Sequence, residues 1–180
     1  MARHRKTFRL ACAPTAAAAC LLACGEARAY EEQTSLDVSV GYVGLLDADH
    51  LPPHGASLAL GSSVGLSSTL TLRGDVAALL LADDARTRPA GRARIEGLYL
   101  FDVLQVVPFA GVGLDLLVGE GRSGNVVARP GVHLVVGADY LLSRAWTLGL
   151  DVRGGVALES GGVLGSVDVA LRVSRLFETF

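Results

Sequence analysis

From residue 35 to residue 177, bulky apolar side chains alternate with small or charged ones in eight successive runs. The runs cover about 35–45, 56–66, 69–81, 92–101, 107–118, 126–141, 146–158 and 163–177. In the last of them Val167, Val169, Leu171 and Val173 share one register, while Ser166, Asp168, Ala170, Arg172 and Ser174 share the other. A period of two is the mark of a β-strand with two unlike faces. Each run also reaches the roughly 9–11 residues that a tilted strand needs to cross a bilayer.

The connections between runs alternate in length. Three are tight, at Ser67-Ser68, Asp102–Val106 and Leu142–Ala145. Four are longer and polar, at Asp47–Gly55, Ala82–Gly91, Gly119–Asn125 and Glu159–Gly162. An even number of strands joined in this way predicts an all-β fold, an eight-stranded antiparallel up-and-down transmembrane β-barrel. The short turns and both termini would lie on the periplasmic side.

Alternation alone leaves open which face points outward. A secreted sandwich or lipocalin-like barrel alternates too, with its polar face in water. Two features argue against that. The polar register is built from Gly, Ser, Ala, Asp and Arg without lysine, and small residues suit the concave inside of a narrow barrel. The aromatic residues Tyr99, Phe101, Phe109, Tyr140, Trp146 and Phe177 flank the tight turns or the C-terminus. They predict one interfacial girdle at the periplasmic rim, with Tyr42 the candidate for the other rim.

The N-terminus changes where the chain is expected to live. Arg3, Arg5, Lys6 and Arg9 precede an apolar stretch from Leu10 to Cys24, and Ala27-Arg28-Ala29 offers a small-x-small cleavage site. Residues 1–29 are therefore expected to be a signal peptide, and residues 30–180 the barrel domain. The alternative is a lipobox at Leu21-Leu22-Ala23-Cys24, with Cys24 acylated. Residues 1–29 hold five of the 16 basic residues, one of the 18 acidic ones and all three cysteines. The remainder carries 11 basic against 17 acidic residues, a net of −6, with no lysine and no thiol. That composition excludes a disulfide framework and disfavours nucleic-acid binding, which depends on cationic contacts to phosphate.

The register opposite the bulky residues carries Asp37, Arg73, Asp75, Arg94, Glu96, Asp115, Arg129, His133, Asp139, Asp151, Arg153, Asp168 and Arg172. These predict a lumen ion-pair network of structural character. Symmetric hairpins would set Asp115 opposite Arg129 and Arg153 opposite Asp168. An ion or proton path would use the same residues. Eight strands enclose only enough space for side chains, which favours a polar plug.

Candidate chemistry is sparse. The glycines at 111, 113, 119, 121 and 124 do not open a helix, so they read as strand and turn glycines and not as a phosphate loop. His50 and His54, with Asp47, Asp49 and Ser57, gather near the first long loop. They would serve a metal or a lipid-modifying hydrolase at the outer rim, but loop polarity explains the same residues with no chemistry and is the preferred reading. No catalytic residue, cofactor or metal is assigned.

The stretch LYLFDVLQVVPFAGVGLDL, residues 98–116, resembles the central hairpin of small eight-stranded outer-membrane barrel domains of the outer membrane protein A and X type. The segment VDVALRVSRLF, residues 167–177, resembles their C-terminal insertion signal, here Val169, Leu171, Val173 and Phe177, with Phe180 as a second closing aromatic. The resemblance implies a monomer of a Gram-negative outer membrane. Its partners would be outer-membrane lipid and, during insertion, the barrel-assembly machinery; any surface partner is unassigned. No peptidoglycan-binding segment is expected after the barrel. The expected role is structural or surface-interactive and not enzymatic. A narrow channel for small solutes is the alternative, and a lipid-modifying rim enzyme is a weaker third.

Overall fold

The structure is a computed structural model, and it describes residues 33–46, 53–83, 86–101, 105–120, 125–159 and 162–178. Eight strands follow one another: β1 (Gln33–Leu46), β2 (His54–Gly65), β3 (Leu70–Asp83), β4 (Arg86–Leu100), β5 (Val106–Glu120), β6 (Val126–Leu141), β7 (Trp146–Glu159) and β8 (Gly162–Glu178). Each pairs antiparallel with the next, and β8 pairs with β1 to close the barrel. Residues 1–29, the expected signal peptide, and Phe180 lie outside the described residues.

Barrel shape follows from the register. A circuit of backbone partners runs from Leu36 to Ser62, Gly74, Ile95, Leu114, Val132, Val156 and Gly165, and returns to β1 at Leu46, ten residues further on. With ordinary strand spacings this stagger tilts the strands by about 40° and sets a backbone radius of about 8 Å. A tube of that width is filled by its own side chains.

The tight turns are locally encoded. Leu66 N–H donates to the Leu70 carbonyl at 2.8 Å, and Ser67 Oγ accepts from Leu70 N–H at 3.1 Å. The turn after β6 repeats the device, with Leu142 N–H donating to the Trp146 carbonyl and Ser143 Oγ accepting from Ala145 N–H. Serine hydroxyls at these positions satisfy backbone groups that the ladder leaves free.

The opposite end differs from expectation. The polar segment Ala82–Gly91 is not a loop: β3 and β4 stay paired out to Asp83 and Arg86. Leu79 and Leu81 continue the inward register there, and Pro89 lies beyond the β4–β5 ladder, which starts at Ala90 opposite Gly119. A proline at that point removes no β4–β5 bond. Likewise β7 and β8 pair out to Glu159 and Gly162. The contrast in loop length therefore rests on the β1–β2 connection, residues 47–53, because the β5–β6 connection, 121–125, is no longer than the β4–β5 turn, 101–105.

The apolar register faces outward around the whole barrel, with Leu36, Val76, Val112 and Leu171 all exposed and Leu134 65% exposed. The charged register faces inward. This inside-out arrangement excludes the water-soluble sandwich and presents a hydrocarbon-compatible surface.

Candidate functional site in the barrel lumen

The lumen has three levels. Toward the long loops, Val43, Leu45, Leu79, Leu81, Leu117 and Leu164 form a buried apolar cluster with Ala59, Ala77 and Ala157. Toward the tight turns, Leu98, Phe109 and Val135 form a second one. The charged network lies between them.

Glu96 is its hub. Arg73 Nε and Arg153 Nε each donate to Glu96 at 2.7 Å, and His133 Nε2 lies 2.9 Å from Glu96 Oε1. These contacts join β4 to β3, β7 and β6. Asp151, fully buried on β7, takes Arg153 at 2.9 Å and Arg73 and Arg172 at 3.4 Å. Asp168 on β8 takes Arg94 at 3.0 Å and Arg92 at 3.3 Å across the lumen. Asp75 pairs with Arg94 at 2.9 Å, and Asp139 with Arg172 at 2.7 Å. Asp37 accepts from Ser35 Oγ at 2.7 Å and faces Arg172 at 3.8 Å. Guanidinium groups suit this role because each one offers a fork of donors to carboxylates on different strands.

The expected pairs divide. Arg153 stands opposite Asp168 in the β7–β8 ladder, with Nη1 and Oδ1 4.0 Å apart. Asp115 does not meet Arg129. It stands opposite Gly131, because the β5–β6 hairpin closes at Glu120 and Val126 and shifts the pairing by two residues. Arg129 instead binds Glu159 at 2.7 Å near the rim. Arg129→Leu combined with Asp115→Leu should therefore be additive in thermal stability. Arg129→Leu combined with Glu159→Leu should recover part of its loss, about 1 kcal/mol for a partly exposed pair. A double-mutant cycle on the refolded protein checks both.

Phe109 is a second correction. It is 2% exposed and points into the lumen, so it is not part of the girdle. Arg73 and Arg172 place their guanidinium carbons 5.3 and 5.7 Å from its ring centroid, so the ring floors the network by cation–π contact. Its odd-numbered register, shared with Gly111 and Gly113, carries the signal for this inward position. Tyr99, Phe101, Tyr140, Trp146 and Phe177 do face outward at the tight-turn end. Val169, Leu171 and Val173 of the last strand share that outward face.

Inward glycines make room for bulky neighbours. A Cβ on Gly113 would stand 2.6 Å from the His133 ring, and one on Gly137 would collide with the Phe109 ring. Sequence reasoning missed Arg92, whose alternation with Arg94 and Glu96 could have revealed it, and Glu159, which it placed in a loop.

The outer-rim chemistry separates. His54 is exposed on the outward face, 6.1 Å from the Tyr42 ring, whereas Ser57 is buried in the lumen. Three residues apart on one strand, they stand on opposite faces. His50, Asp47 and Asp49 lie outside the described residues.

No protein-family model matches the chain, and no curated protein matches it. Solved structures do. Neisserial surface protein A superposes with a TM-score of 0.68 at 14% identity, covering 82% of this chain and 100% of that one. The attachment invasion locus protein of Yersinia pestis gives 0.54 at 9% identity, over 82% and 100% of the two chains. The outer membrane enzyme PagL gives 0.51 at 16% identity, over 77% and 97%. At these identities the likeness is one of fold, and the fold is that of small eight-stranded outer-membrane barrels.

Proposed function

We propose that this chain is a monomeric integral outer-membrane protein whose barrel is a closed scaffold, with its role, structural or surface-interactive, carried at the long-loop end. The apolar outward face and the aromatic girdle support the membrane placement. The observation that carries the rest is the filling of the lumen. Asp151 and Val43 are fully buried and Glu96 and Leu79 are 1% exposed, so side chains occupy both the polar middle and the apolar outer end. A solute path would have to displace the outer leucine cluster and break the Glu96 hub together. The separation of His54 from Ser57 removes the geometric basis for a rim hydrolase built on that pair.

Planar bilayers test the scaffold reading. The purified, refolded protein should show no steady conductance of porin size. Large, long-lived currents would put the narrow-channel reading in its place.

A further inference from the structure

Among the described residues of the eight strands, two charged side chains stand on the outward register. One is Glu120, at the long-loop end of β5. The other is Arg175 on β8, at the level of the aromatic girdle. Arg73, Arg92, Arg94, Arg129, Arg153 and Arg172 are all buried in the lumen, so Arg175 stands apart as an exposed cation on the outward face. An outward arginine is costly in mid-membrane and nearly free at the interface.

Its surroundings are specific. Arg175 stands opposite Trp146 in the β7–β8 ladder and opposite Leu36 in the β1–β8 ladder. Its guanidinium carbon lies 5.9 Å from the Trp146 ring centroid and 5.2 Å from that of Phe177. Two rings attract the guanidinium, but they bring no net charge. Arg144 is exposed in the turn that leads into Trp146 and adds a second cation to this side of the rim. The result is a positively charged patch beside two aromatic rings at the level of the girdle.

We propose that Arg175, framed by Trp146 and Phe177, is a headgroup site for an anionic phospholipid of the periplasmic leaflet. The guanidinium fork would take the phosphodiester oxygens in bidentate fashion, and the rings would lie against the glycerol and upper acyl chain. A net negative headgroup is favoured over a zwitterionic one, whose ammonium offsets the attraction of Arg144 and Arg175. The inference rests on the membrane placement proposed above.

Trp146 is the only tryptophan of the chain and lies in the site, so its fluorescence reports local lipid composition. The full-length mature barrel is refolded into vesicles of phosphatidylcholine and phosphatidylglycerol, with one or the other brominated at equal mole fraction. Brominated phosphatidylglycerol should be enriched beside Trp146 by about fivefold, the effect of one interfacial arginine. The enrichment should vanish in Arg175→Gln, and in the unaltered protein at 1 M salt, a measurement that needs no variant to fold. Equal quenching by the two lipids in the unaltered protein at low salt would overturn the inference and leave the membrane placement standing. Absence of quenching by either lipid would overturn both. Displacement of the brominated lipid by lipopolysaccharide, in the unaltered protein but not in Arg175→Gln, would overturn the assignment to phospholipid.

Discussion

Replacing Glu96 with leucine should destabilise the barrel by about 3–5 kcal/mol, the cost of removing one partner from a buried charge cluster. Glu96 accepts from Arg73 and Arg153 and contacts His133, and all four residues are buried. The variant strands guanidinium groups in a space already filled by side chains, where water cannot take over. Arg153→Met added to Glu96→Leu should recover part of the loss, because it withdraws one of the stranded charges. Urea titration in detergent micelles, read from the folded and unfolded gel bands, gives both values. A loss below 1 kcal/mol for Glu96→Leu would mean that the network is hydrated and the lumen open.

The second large effect is expected on the other face. Leu134→Arg puts a guanidinium in the middle of the outward apolar surface, between Val112 on β5 and Gly154 on β7. An arginine at mid-membrane costs about 2–4 kcal/mol in a spanning barrel. The same substitution on an exposed strand of a water-soluble protein is close to neutral. Folding into lipid vesicles separates the two cases. No loss of stability would mean that Leu134 does not face hydrocarbon.

Both effects follow from the period of two. A one-residue slip of any strand would carry charges such as Asp151 and Arg153 into lipid and leucines into the polar lumen, so register is strongly specified. That is why strand number, closure and the facing of residues such as Leu134 and Asp151 were legible from the sequence. Strand ends were less so. Between Ala82 and Gly91 the composition of aspartate, arginine and proline resembles a loop, yet Leu79, Leu81 and Ala90 show that the register persists inward through it.

The network was legible as a set of residues and not as a set of partners. Which carboxylate meets which guanidinium depends on the ten-residue stagger of the closed barrel, which brings Glu96 across to Arg153 and Arg92 across to Asp168. Neighbouring-strand reasoning finds Arg153 and Asp168, because they lie opposite each other in one hairpin. It fails at Asp115 and Arg129, because the centre of that hairpin is displaced. Phe109 was misplaced for a related reason. Proximity to a tight turn suggested an interfacial ring, but the parity of its position decides its face, and the small neighbour at Gly137 leaves the space it fills.

One register of every strand faces outward, to lipid in the proposed membrane placement, and the other faces an interior filled by side chains. Residues 30–180 contain no cysteine, so in a chain of those residues single cysteines can carry spin labels at successive positions from Val132 to Val136 on β6. In refolded vesicles, labels at Val132, Leu134 and Val136 should collide readily with dissolved oxygen and hardly at all with a water-soluble nickel complex. Labels at His133 and Val135 should be shielded from both. Ready access of the nickel complex to Leu134 would contradict the lipid-facing surface, and ready access to Val135 would contradict the closed lumen.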